Sequence, residues 1–147
     1  TADSKGNCDC SPRFGKPGFV EIVSPTRLAY PEFRGNGVFA SLGNIRENPH
    51  AGLVFVDFLE TTVGLHVNGS AEIYSPDKAP VSLDSNAYAG SDRAALLERW
   101  VVIDVHEAYI HCSKHVPHLQ KLEKNIRWGT DDPKAKSDRF FLDKGSE

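Results

Sequence analysis

The residues with the most chemistry to offer lie near the C-terminal end, where HEAYIHCSKHVPH spans residues 106–118. Four histidines and a cysteine fall in that stretch: His106, His111, Cys112, His115 and His118. Such a cluster invites a zinc reading, but a structural zinc site needs two well-separated ligand pairs. If His106 and His111 sit five apart on one strand, they project to opposite faces and cannot share an ion. His115 and His118 then fall in a loop beyond the strand. No metal is expected here.

Cys8-Asp9-Cys10 is the second candidate. A redox-active pair usually has two intervening residues and a helix N-terminus that lowers a thiol pKa. One residue intervenes here and the context is strand-like, so ordinary small strand residues are expected. With Cys112 there are three cysteines. An odd number in a chain with a sufficient core reads as free thiols in a reducing cytoplasm, not as a disulfide framework.

The third candidate is YPEFRGNGVFASLGNI, residues 30–45. A strand ends, glycines follow, and a helix begins. Glycine permits close backbone approach, and the first helical turn leaves amides free for an anion. Arg34 adds a forked donor suited to phosphate, with Asn36 and Ser41 as further donors. The same residues would equally make an ordinary glycine-rich loop.

The elements that must position these groups are mostly β. The chain has 147 residues, enough for one domain with its own core. Hydrophobic residues make up 39% and charged residues 25%, which argues against disorder. A formal net charge of -3 argues against nucleic acid as partner. No apolar run approaches the roughly 18 to 20 residues of a membrane span, and no secretory leader is expected. Short strands are expected at 8–14, 19–23 and 26–30, separated by turn residues at Gly6-Asn7 and Gly15-Lys16-Pro17-Gly18. Pro12 should place its strand at an edge or bulge. Val38, Phe39, Leu42 and Ile45 follow helical spacing, and Pro49 ends the pattern.

Downstream, AGLVFVDF reads as a buried strand and VGLHVNGSAEIYS as another, kinked at Gly69. Asp77 to Gly90 reads as irregular. SDRAALLERW reads as a short helix capped by Ser91, and RWVVIDVHEAYIHC as a long strand ending at Cys112. The tail from Gln120 to Glu147, with Trp128, Phe140 and Phe141, is expected to pack on the barrel or on a partner subunit.

Taken together, TADSKGNCDCSPRFGKPGFVEIV, RLAYPEFRGNGVFASLGNIRENPHAGLVFVDF, GLHVNGSAEI and EAYIHCSKHVPHL cover most of residues 1–119. In that order they resemble the pyridoxamine 5′-phosphate oxidase-related family of FMN-binding split-barrel proteins. The resemblance implies a mainly β fold, a six-stranded antiparallel split β-barrel with a few short helices, as a single domain over residues 1–147. It also implies a helix and the first half of a strand ahead of Thr1. A homodimer is implied, with FMN in grooves between subunits, because a barrel filled by its own side chains has little room for a flavin ring.

Carried over residue by residue, the resemblance puts Ser11 and Arg13 near the ring or ribityl chain. Tyr30 and Glu32 border the ring. Arg34, Asn36, Ser41 and Asn44 hold the phosphate and ribityl oxygens. His111, Cys112 and Lys114 come from the neighbouring subunit or close over the same groove, with Lys114 placed to steady a reduced flavin by its charge. The resemblance does not extend to the longer C-terminal pattern of the vitamer-oxidising members, which NIRWGTDD lacks. The implied activity is hydride transfer between a nicotinamide or small organic substrate and bound FMN, with no side chain required as acid or base. The alternatives are a flavin-binding module without turnover, or the same fold holding a deazaflavin or haem.

Overall fold

The computed structural model describes residues 1–35, 37–80 and 97–123. Five strands and one helix follow in the order β1 (Glu21–Ser24), β2 (Arg27–Phe33), α1 (Ala40–Glu47), β3 (His50–Val56), β4 (Gly64–Tyr74) and β5 (Leu97–His111). All described pairings are antiparallel, in the spatial order β1-β2-β5-β4-β3. The mainly β architecture expected from the sequence is borne out.

β5 is the centre of the sheet because it pairs along one edge with β2 and along the other with β4. Its stretch Trp100-Val101-Val102-Ile103 is fully buried, which explains four successive apolar residues without alternation. One face carries Val101 and Ile103, packed with Tyr30, Ala71 and Ile45 of the helix. The other carries Trp100 and Val102, packed with Ala29 and Leu97.

Leu97 and Glu98 were expected to lie in a helix that overlaps the long strand at Arg99-Trp100, and the structure makes all four the start of β5. Tertiary pairing explains the difference: Phe33 and Pro31 of β2 lie opposite Leu97 and Trp100, and both apolar side chains enter the core. Residues 91–96, with the proposed cap Ser91, lie outside the described residues, as do 81–90 and the tail from 124 onward.

Two strand expectations change. Residues 8–14 form no ladder, and Cys8 makes one isolated bridge to Ala2. The polar Asp3 carboxylate, which accepts from the backbone of Lys5 and Asn7, shapes the tight turn between those bridge residues. Among the described strands β3 lies at an edge, not buried between neighbours, and its Val54 is 56% exposed. A continuous apolar run does not by itself reveal how many neighbours a strand has.

Helix α1 begins two residues later than the apolar spacing suggested. Its N-cap, Phe39, lies in the left-handed region (φ 52°), and no side chain caps the helix. Ser41 and Ile45 are its buried residues, one turn apart on one face. Asn48 leaves the helix in an extended conformation, as a residue preceding proline must.

Candidate functional site

The chain before β1 folds back so that its polar residues meet the start of α1 and the body of β2. Arg13 donates through Nε (3.1 Å) and through a second guanidinium nitrogen (2.8 Å) to one oxygen of Glu32. The same guanidinium lies over the Tyr30 ring, 5.9 Å from its centroid. Glu32 is buried beside this cation. Burial pushes its carboxyl above the ordinary range, while the Arg13 charge and hydrogen bonds pull it back down. Burial likewise raises the Tyr30 hydroxyl to about 12. Glu32 can therefore exchange a proton far more readily than Tyr30, which stays a neutral phenol.

A few residues upstream, Asp9 gathers two hydroxyls on one carboxylate oxygen. Ser11 Oγ donates to Oδ2 at 2.8 Å, and Ser41 Oγ of α1 donates to the same atom at 3.1 Å. Hydrogen bonding from Ser11 first, and then from Ser41, lowers the Asp9 carboxyl below its usual value. Thr1 joins the cluster, because its Oγ1 accepts from Asn44 Nδ2 at 3.1 Å.

Of the residues expected from the sequence, Ser11 and Ser41 thus meet at Asp9, and Arg13 and Glu32 pair beside the Tyr30 ring, with Asn44 on the same helix as Ser41. Arg34 follows at the end of β2 and is exposed. Asn36 lies outside the described residues. The loop between β2 and α1 runs through positive φ at Gly35 (51°) and Gly37 (77°). A left-handed phenylalanine at its end costs about 1–2 kcal/mol relative to an ordinary conformation. Among the described residues no side chain caps α1, and a first turn of that kind can offer its amides to an anion.

The late-strand residues lie elsewhere. Glu32 faces Arg99 across the β2–β5 ladder, and His111 is twelve residues further along β5. At roughly 3.3 Å per residue, the path along the strand is at most about 40 Å. No hydrogen bond or ring contact among the described residues joins His111, Cys112 or Lys114 to the Arg13–Glu32 group. His111 Nδ1 instead meets His66 Nε2 at 2.8 Å. His66 stacks on Tyr109, with ring centroids 4.8 Å apart and planes 2° from parallel. Cys112 is exposed beyond the strand end, where its Sγ accepts from the Lys114 amide at 3.4 Å.

The expectation that His106 and His111 project to opposite faces is overturned. Val105 lies opposite Gly69 and Glu107 opposite Asn68, so His106 is an extra residue, a β-bulge. His106 Nε2 consequently reaches Ser70 Oγ (2.7 Å) while Glu107 accepts from Asn68 (2.7 Å), on the face that also carries His66. Sharing a face does not make a metal site, and among the described residues no group of three or more ligating side chains could hold an ion. All three cysteines are free and none bridges another.

Asp9, His66 and Tyr109 escaped the sequence reading. His66 and Tyr109 could have been found by placing VGLHVNG opposite EAYIH in antiparallel register. Asp9, between two cysteines, gave no local signal.

The fold agrees with what the chain is similar to. A family model described as pyridoxamine 5′-phosphate oxidase matches residues 1–112. No curated protein matches. Among solved structures, the 1.98 Å crystal structure of a tagged HupZ variant from Group A Streptococcus superposes with a TM-score of 0.52. That similarity has 19% sequence identity and covers 76% of this chain and 85% of the other, so it speaks to fold alone. The chain belongs to the pyridoxamine 5′-phosphate oxidase family, whose split-barrel members generally bind flavins or related cofactors.

Proposed function

We propose that this protein is a homodimeric, FMN-binding oxidoreductase that moves a hydride between a nicotinamide or small organic substrate and the flavin. The observation that carries this reading is the division of the expected site. The residues before and within α1 gather at one place, while the contacts of His111 and Cys112 lie at the C-terminal end of β5. In the proposed dimer a second copy of the chain brings the two together.

In this reading Arg34 and the first-turn amides of α1 take the phosphate, with Asn36 beside them. Ser11, Ser41 and Asn44 take the ribityl chain, and Arg13, Tyr30 and Glu32 border the ring. His111, Cys112 and Lys114 of the second copy close the groove. The residues fit the group: a forked cation and uncapped amides suit a phosphate, and a buried, positively neighboured carboxyl suits a polar ring edge. A bound flavin would supply the hydride chemistry itself. The chain's own work is to anchor, orient and exclude water. Arg13 holds Glu32 in place, and Glu32 offers a titratable oxygen at the ring border. Lys114 brings positive charge to the open side.

The absorbance spectrum of the purified protein tests the cofactor. Flavin bands bleached anaerobically by NADH or NADPH support the proposal. Yellow protein that no nicotinamide bleaches would indicate a flavin carrier without this turnover. A deazaflavin or haem spectrum, or a colourless protein, would sink the FMN assignment. Arg34→Ala should weaken FMN binding by about tenfold or more while leaving the fold intact. Unchanged affinity in that variant would remove the phosphate role.

A further inference from the structure

Asp9 lies where two residues of the proposed groove meet, and hydrogen-bond direction gives it a consequence. A carboxylate can only accept, so both serine protons are committed to its Oδ2: Ser11 at 2.8 Å and Ser41 at 3.1 Å. Each hydroxyl then has only lone pairs left to offer a ligand. A phosphate dianion also only accepts, and would meet the negative charge of Asp9 as well. Ser41 is buried, so little water competes with Asp9 for its proton. The charges that reach Asp9 are the amino group of Thr1 and the Arg13 guanidinium, and both favour its ionised form.

We infer that Asp9 is a positioning residue that makes this end of the groove a hydrogen-bond acceptor, so that it recognises a ligand's hydroxyl or N–H donors and turns phosphate away. This inference rests on the flavin reading and refines it. Ser11 and Ser41 serve the polyol chain or another donor group, and phosphate recognition falls to Arg34 and the backbone amides. An anchor for phosphate and an acceptor for hydroxyls cannot be the same serine while Asp9 is ionised.

The affinities of FMN and riboflavin, measured by flavin fluorescence titration in wild type, Ser41→Ala and Asp9→Ala, separate the alternatives. Ser41→Ala should weaken both ligands by the same factor, leaving their ratio unchanged. In Asp9→Ala both hydroxyls lose the acceptor they share, freeing their protons. The FMN-to-riboflavin affinity ratio should then rise by about tenfold. A purely structural role for Asp9 would lower both affinities together. A selective loss of FMN in Ser41→Ala, or an unchanged ratio in Asp9→Ala, overturns the inference.

A ligand-free measurement keeps the two readings apart. The Asp9 carboxyl, followed by carbon NMR, should titrate below the ordinary carboxylate range in wild type and move up in Ser41→Ala. If it titrates normally in wild type, the hydroxyls do not donate to it and the inference fails. If it titrates low but neither flavin binds, the acceptor site stands and the flavin reading fails.

Discussion

At the scale of single residues, the Arg13–Glu32 pair shows how a groove can be both stable and titratable. Glu32 is almost fully enclosed and Arg13 only partly so, with side-chain exposures of 11% and 28%. Removing the arginine leaves a buried carboxylate without its donors. Arg13→Ala should therefore cost about 1–3 kcal/mol in urea unfolding at neutral pH. The sign of its pH dependence follows from Glu32, whose folded pKa is raised above the unfolded value by burial. The stability of a carboxyl so raised is fully present below the unfolded pKa of about 4.5 and lost as pH rises through the folded one. Without Arg13 the folded pKa climbs further, so the deficit of Arg13→Ala should be largest at neutral pH and shrink below about pH 4.5. A deficit independent of pH would mean that the two residues do not interact energetically. Both partners were legible as site residues from the family-like order of motifs. Their contact was not, because they stand nineteen positions apart, joined only by the fold.

At the scale of elements, the bulge in β5 decides which side chains share a face. Gly69 sits opposite Val105 at that irregularity, and a Cβ there would lie 2.2 Å from the backbone oxygen of Asp104. A backbone atom in a central strand cannot give way as a side-chain tip can. Gly69→Ala should destabilise the fold by about 1–3 kcal/mol, read as a lower urea midpoint with an unchanged slope. A midpoint equal to wild type would show that the β4–β5 crossing is looser than its geometry. The kink at Gly69 was visible in the sequence, because glycine inside an apolar alternation marks a bulge or a close approach. Its effect on His106 was invisible, since the extra residue is carried by the other strand, and only the pairing says which strand it is.

At the scale of the whole molecule, apolar groups remain uncovered at the far end of the β3–β4–β5 ladder. Ile110 is 70% exposed, Val54 56%, and Tyr109 49%, next to the His66–His111 pair. In the proposed dimer this end of the chain meets the groove of the other copy. No helix among the described residues is long and apolar enough to cross a membrane. Placing a charge there, as in Ile110→Glu, should convert a dimer to a monomer in sedimentation and abolish flavin binding together with it. A monomeric variant that still binds flavin at wild-type affinity would refute a groove shared between copies.

By itself the sequence determined the class of fold, the position of α1 and the identity of most residues gathered at its start. Those features are written in local chemistry: turn residues, apolar periodicity, a proline stop and motif order over residues 1–112. Tertiary structure alone decided that Leu97 and Glu98 are strand, that residues 8–14 form no ladder, and that His106 shares a face with His66. It also decided that Asp9 holds the protons of Ser11 and Ser41. The physical reason is common to all of these. Each depends on which distant strand or helix supplies the hydrogen-bond partner or the apolar cover, and no local pattern encodes that neighbour.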